Sequence, residues 1–193
     1  MKLGQEGLFQ IVSGGTPGSS VEDYWNGDVP WITLVDLPAD DFITEITTTE
    51  RTITEAGLAN SSATMIPAGS VIVSSRATIG RIGINRIPLT TNQGFKCVVI
   101  HDPTRALSQY VALALIGLVP AMQTQARGST YKEIIKSRFS ELRIPLPPLP
   151  VQREIVAEDR GQQALVDANR EMIGRFEGKI EAVLERVWEE RTN

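Results

Sequence analysis

Apolar positions along the chain follow two different periods, and the change between them organises it. Over residues 65–100 they come in short runs rich in β-branched side chains: Val71-Ile72-Val73-Ser74-Ser75-Arg76, residues 79–84, and Phe95-Lys96-Cys97-Val98-Val99-Ile100. Runs of this length and type predict buried strands. Gly80 and Gly83 weaken the middle run as a plain strand and predict a twisted hairpin there. Upstream, Trp31-Ile32-Thr33-Leu34-Val35 and residues 43–49 predict two further strands, and residues 50–60 a short helix ending near Gly57. Turn formers punctuate this half. Ser13-Gly14-Gly15-Thr16-Pro17-Gly18-Ser19-Ser20 predicts a loop, and the Asn26-Gly27 pair predicts a tight hairpin turn, each flanked by short strands.

The period then lengthens. Leu107, Val111, Leu115, Leu118 and Met122 recur at helical spacing, which predicts a core helix over 107–126 interrupted near Pro120. Ile144-Pro145-Leu146-Pro147-Pro148-Leu149-Pro150 predicts a stiff extended connector, because four prolines fix φ and remove backbone donors. No proline follows, and residues 151–190 predict one continuous helix. At ~1.5 Å per residue, about forty residues make a rod of roughly 60 Å. Val151, Ile155, Leu165, Met172, Phe176, Ile180, Val183 and Val187 lie along it at steps that suit a coiled-coil seam, so the helix calls for a helical partner. Glu158, Gln162 and Asn169 interrupt the seam. Gly161, Gly174 and Gly178 each cost about 1 kcal/mol of helix stability relative to Ala. The fold class expected is α+β: a mixed or antiparallel β-rich globular domain over residues 1–149, then a long coiled-coil-type helix over 150–193.

With 193 residues and 41% hydrophobic content, the chain has room for one good-sized core plus an appendage. A single cysteine, Cys97, and a single histidine, His101, exclude a disulfide framework and a Cys/His zinc site. Cys97 is expected to be a small buried residue. The acidic start and the lack of an apolar run near ~20 residues predict a cytoplasmic chain without a membrane span. In that setting the sequon Asn60-Ser61-Ser62 has no consequence. The net charge of −4 is unevenly spread: residues 1–70 carry two basic side chains against ten acidic ones, whereas 71–143 carry ten basic against three acidic. Such segregation predicts a basic face for a polyanion partner.

Several short motifs have a familiar order. Gly14-Gly15-Thr16-Pro17, Tyr24-Trp25 and Pro30-Trp31-Ile32 resemble the opening of the target-recognition domain in type I restriction-modification specificity subunits. Thr91-Asn92-Gln93-Gly94-Phe95 resembles the central motif of that family, and Gly128-Ser129-Thr130 its pre-connector loop. The proline connector with Gln152 and Ile155 resembles the junction into the family's spacer helix. Val151 departs from the pattern, standing where a glutamate is common. Length departs too: the usual member has two recognition domains and two spacer helices, so this chain resembles either a fragment or a short half-subunit that dimerises. The resemblance implies a division of labour in which the domain reads one half of a split site on double-stranded DNA. The helix sets the spacing and docks modification subunits, and through them the restriction subunit. A second recognition half, or a second copy, joins through the helix, and no cofactor is implied.

Chemistry of the chain's own finds no support in the residues. An adenine methyltransferase needs Asp or Asn before a Pro-Pro-aromatic triplet, and Pro147-Pro148 is flanked by leucines. Residues 14–20 lack the lysine of a phosphate-binding loop, and Glu177-Gly178-Lys179, one fragment of a nuclease pattern, lies on the expected rod with no strand nearby and reads as a solvated helix face. The chain is therefore expected to be non-catalytic. Candidates for DNA contact are Arg, Lys, Asn and hydroxyl side chains in two basic loops: Arg76, Arg81, Asn85 and Arg86 in one, and Arg127, Ser129, Thr130, Tyr131 and Lys132 in the other. On this reading, removing Arg81 and Arg86 together flattens the salt dependence of binding. The rival reading is a protein-interaction adaptor built around the seam, with no base-specific readout.

Overall fold

Strands form where the apolar runs are densest, and the two richest runs become the centre of the larger sheet. The computed structural model describes the chain except for Glu6, residues 40–42, Ser129, Thr130 and Asn193, and describes only the backbone of residues 187 and 189–192. In order, the elements are β1 (Phe9–Ser13), β2 (Trp25–Ile32), β3 (Thr44–Ile46), β4 (Arg51–Ile53), α1 (Glu55–Ala59), β5 (Val71–Ser74), β6 (Ile82–Asn85), β7 (Thr90–Thr91) and β8 (Phe95–Ile100). Four helices follow: α2 (Ser108–Ile116), α3 (Val119–Gln125), α4 (Lys136–Glu141) and α5 (Leu149–Thr192). The chain divides into two compact units, Met1–Gln152 and Arg153–Asn193.

In the first unit five strands run in the order β1-β8-β5-β6-β3, all neighbours antiparallel except the parallel pair β6/β3. A second sheet, β4-β2-β7, pairs β2 antiparallel to β4 and parallel to β7. The alternation of a strand sends neighbouring residues to opposite faces. Val71, Val73 and Val98 accordingly join a core with Val111, Leu115 and Phe139 from the helices. Ile72, Cys97 and Val99 join a second core with Ile32, Leu37 and Ile66. Burial on both faces explains why β5 and β8 are continuous apolar runs rather than alternating ones. Each such buried side chain stabilises the fold by about 1.5–3 kcal/mol.

Four local expectations change: the helix expected over residues 50–60 begins only at Glu55, because Arg51–Ile53 pair with β2 as strand β4. Asn26-Gly27 is not a hairpin turn but a bulge inside β2, where Trp25 and Val29 both face Ile53 across the pair. Asn26 takes φ 60, the same left-handed backbone that a hairpin turn demands, so the local chemistry was right and the pairing with β4 decided its use. The 107–126 helix breaks at Gly117-Leu118, and Pro120 sits in the first turn of α3, where its missing donor costs nothing. Strand β2 ends at Ile32, and residues 34–36 form a single 3₁₀ turn held by Asp36, whose carboxylate accepts from the amides of Thr33 and Glu50, both at 2.7 Å.

The proline connector is paired rather than free: the amide of Ile144 donates to the carbonyl of Met1 at 3.0 Å. Helix α5 starts at Leu149, with Pro150 in its first turn. Gln152 anchors that turn from a fully buried position. Its amide donates to the carbonyls of Arg105 and Pro147, each at 2.8 Å, and its oxygen accepts from the amide of Leu107 at 3.0 Å. In the second unit Leu165, Met172, Phe176, Ile180 and Val183 are exposed, as is Ile155. The Val187 side chain lies outside the described residues. Ion pairs Arg170–Asp167 and Arg175–Glu171 lie along the same helix.

Replacing Gln152 with Ala removes three part-buried hydrogen bonds and a buried side chain, and is expected to lower the unfolding free energy by about 2 kcal/mol. Urea denaturation checks this, and an unchanged midpoint contradicts it. Burial pushes the Cys97 thiol up to about 12, so the thiolate is scarce at neutral pH. A maleimide is expected to label Cys97 at pH 8 only after unfolding; labelling of the folded chain at a free-thiol rate contradicts that.

Candidate nucleic-acid interface

The motifs that stand far apart in sequence meet around one turn, residues 91–94, which leads into β8. Gly15 donates its amide to the carbonyl of Thr91 at 2.8 Å. The approach is close enough that a Cβ on Gly14 would lie 2.0 Å from the Thr91 hydroxyl, so only glycine fits. Thr16 donates its hydroxyl to Gln93 Oε1 at 2.5 Å, and Trp31 donates Nε1 to the carbonyl of Gly15 at 3.0 Å. Asn92 closes the turn by accepting from the amide of Gly94 at 2.7 Å. On the other side Ser75 donates both its amide, at 2.7 Å, and its hydroxyl, at 2.9 Å, to the carbonyl of Gly94.

The two basic loops expected from sequence touch each other at this place. The amide of Ala77 donates to the carbonyl of Lys132, and the amide of Ile134 to the carbonyl of Ser75, each at 2.9 Å. Arg127 and Glu133 exchange backbone hydrogen bonds and pinch off the second loop. Beneath it, Lys96 is only 3% exposed. Its ammonium donates to the Ser75 hydroxyl at 3.0 Å and to Glu133 Oε1 at 3.2 Å, tying β8 to both loops. Above it, the Arg76 guanidinium lies 5.7 Å from the centre of the Tyr131 ring. Arg76, Tyr131, Thr16, Asn92, Gln93 and Phe95 line a cleft of about 270 Å³. Arg76, Arg127, Tyr131 and Lys132 are all exposed.

The remaining candidates go elsewhere. Asn85 is fully buried, accepting from the amide of Ser70 at 2.8 Å and donating to the carbonyls of Pro67 and Ile87, each at 2.9 Å. With its amide so occupied, it is corrected from base reader to structural brace. Arg81 donates to the carbonyls of Leu37 at 2.8 Å and Leu34 at 3.3 Å, pinning the 34–36 turn. Arg86 makes a two-pronged ion pair with Glu45 on β3, which neutralises its charge. Ser129 and Thr130 lie outside the described residues. The basic surplus of 71–143 is thus smaller at the surface than in sequence, since Lys96 and Arg86 are matched by carboxylates.

A second cleft of about 500 Å³ adjoins the first, sharing Thr16 as a common wall. The rings of Trp25 and Trp31 meet edge to face at 5.1 Å. The Arg51 guanidinium lies 4.4 Å from one ring centre and 5.1 Å from the other. Sequence reasoning passed over Arg51 because it stands in the acidic segment. The signal available was register: Arg51 and Trp31 are direct cross-strand neighbours on β4 and β2. Among the described residues no three His, Cys, Asp or Glu side chains are placed to hold a metal ion. No helix among them is long and apolar enough to cross a membrane.

The Lys96–Glu133 pair generates an ordered expectation. Lys96→Met leaves a carboxylate that is 30% exposed and reaches water, so the cost is about 1 kcal/mol. Glu133→Ala leaves a buried ammonium without a counter-charge and costs about 3 kcal/mol. Denaturant titration of both variants measures the difference, and a costlier Lys96→Met contradicts the burial argument.

Comparison with known proteins bears on these motifs directly. Residues 2–158 match the family model for the type I restriction modification DNA specificity domain. The MjaIX specificity subunit of Methanocaldococcus jannaschii is 34% identical over 148 residues, which cover 77% of this chain and 34% of that protein. The EcoR124I/EcoR124II specificity subunit of Escherichia coli is 28% identical over 159 residues, covering 80% of this chain and 38% of that protein. The HsdS subunit of Thermoanaerobacter tengcongensis shares the fold with a TM-score of 0.63 at 22% identity, over 88% of this chain and 38% of that one. A chain from a type I R-M system structure gives a TM-score of 0.66 at 23% identity, over 97% of this chain and 42% of that one. The chain spans between three-tenths and two-fifths of these curated relatives. The match over residues 2–158, which takes in the Gly-Gly-Thr-Pro loop and the Thr-Asn-Gln-Gly-Phe turn, shows that the chain belongs to the type I restriction-modification DNA specificity family.

Proposed function

We propose that this chain is the DNA-recognition part of a type I specificity subunit, reading one half of a bipartite duplex site and leaving the chemistry to other subunits. The observation that supports the proposal is the cleft in which Arg76 and Tyr131 meet Asn92 and Gln93, with Arg127 and Lys132 exposed on the same loop as Tyr131. A cation, an aromatic ring and amide side chains that stand far apart in sequence line that one cleft. Cations of this kind contact phosphates and fix register, while arginine and amide side chains match the donor and acceptor pattern of base edges.

In this reading α5 serves as spacer and dock. Its exposed apolar stripe from Leu165 to Val183 packs on a helical partner, supplied by a second recognition half or a second copy of the chain. Modification subunits bind the assembled rod and bring the restriction subunit with them. The chain itself is non-catalytic and acts in the cytoplasm, where the cell's own DNA is read.

Mixing the chain with its modification subunits tests this, with stoichiometry and duplex selection as readouts. The expected result is a preference of about a thousandfold or more for one sequence over scrambled duplexes; equal binding to all supports the adaptor reading. Arg76→Ala and Lys132→Ala are each expected to reduce the slope of log K against log salt by about one. The Arg81→Ala/Arg86→Ala pair is expected to lower stability with little change of slope, because both side chains are engaged within the fold.

A further inference from the structure

The second cleft carries a site that the charge pattern of the sequence concealed. Arg51 belongs to a segment with ten acidic side chains and only one other basic one. No carboxylate among the described residues lies within ion-pair distance of it. Its charge is therefore not neutralised, yet the side chain is held: the guanidinium lies against Trp25 and Trp31 at 4.4 and 5.1 Å. A cation on aromatic rings is oriented without losing charge, unlike a cation in a salt bridge. The side chain is exposed and, among the described residues, donates no hydrogen bond, so its N–H edge is open to a ligand. That edge matches two oxygens of one phosphate and gives directional recognition that a lysine lacks.

The framework behind Arg51 is fixed. Trp31 is 3% exposed, with its indole N–H on the carbonyl of Gly15, and Trp25 reaches the carbonyl of Gly18 at 3.3 Å. Both carbonyls belong to the loop whose Thr16 also walls the Arg76–Tyr131 cleft. A duplex seated on the first cleft thus passes the second. Neutral donors border the second cleft as well, Ser19 and Asn26 among them, and hydroxyl and amide groups commonly accompany arginine on a phosphate.

We propose that Arg51, stacked on Trp25 and Trp31, grips a backbone phosphate of the same DNA whose bases face the Arg76–Tyr131 cleft. The inference rests on the DNA-reading function proposed above and adds a contact outside the basic segment. Glu22 lines the same cleft, and its carboxylate repels a phosphate there. A base contact makes the opposite demand on Glu22, which would then accept a hydrogen bond from a cytosine amino group.

The test measures duplex binding by the assembled complex across a salt series, on the preferred sequence and on single-base-pair variants of it. Arg51→Met keeps the apolar stem against the tryptophans and removes the charge. It is expected to weaken binding by about tenfold at low salt, equally on all sequences, and to reduce the salt slope by about one. Arg51→Lys is expected to retain the slope while recovering only part of the affinity, since the charge stays and the planar fork is lost. Glu22→Gln is expected to tighten binding. Unchanged affinity and slope for Arg51→Met overturn the contact while leaving the wild-type sequence preference, and hence the function, intact. Loss of discrimination at a single base pair, in Arg51→Met or Glu22→Gln, overturns the phosphate assignment. A wild-type complex that shows no preference among duplexes overturns both readings together.

Discussion

Gly15 gives its amide to Thr91, Ser75 gives its amide and hydroxyl to Gly94, and between those two carbonyls lies a turn of four residues. This backbone junction is the constraint from which the candidate interface follows. A side chain at 14 is excluded by it, because a Cβ there would run into the hydroxyl and carbonyl of Thr91 and the carbonyl of Asn92. The Gly-Gly-Thr-Pro and Thr-Asn-Gln-Gly-Phe motifs are thus two sides of one contact. Their first task is to bring backbones together, and the side chains left over, Thr16, Asn92 and Gln93, face the cleft between the loops.

A junction made of main-chain hydrogen bonds sets where the two basic loops attach without dictating what they carry. The turn is rooted in β8, which is buried on both faces by two separate cores. Lys96 extends that rigidity upward, since a buried ammonium with a hydroxyl and a carboxylate in fixed places ties strand and loops to one geometry. For a protein that must present side chains to base edges, such pre-organisation reduces the ordering cost of binding. In the proposed function Lys96, buried beneath the loops, positions them and makes no DNA contact of its own.

Periodicity made the sheet core legible. The Val71 and Phe95 runs are strands because double-faced burial makes all but Ser74 and Lys96 of their positions apolar. The same reasoning missed at Asn26-Gly27, since a bulge and a hairpin turn ask the same backbone angles of the same residues and only pairing with β4 tells them apart. Charge counting located the half of the domain that bears the loops, but it is blind to partners. Arg86 meets Glu45, Lys96 meets Glu133 and Arg81 holds two carbonyls, each partner lying about forty residues away in the chain. Arg51 failed in the opposite sense, hidden by acidic neighbours in sequence although its guanidinium rests on aromatic rings.

The central claim is that duplex DNA meets the surface built around residues 91–94. Hydrogen–deuterium exchange of the assembled complex, with and without its preferred duplex, examines that surface most directly. The account predicts slowed exchange in peptides covering residues 74–80, 91–96 and 127–134, with α2 and α3 unaffected. Protection confined to α2 and α3, or absent from the globular unit altogether, contradicts it.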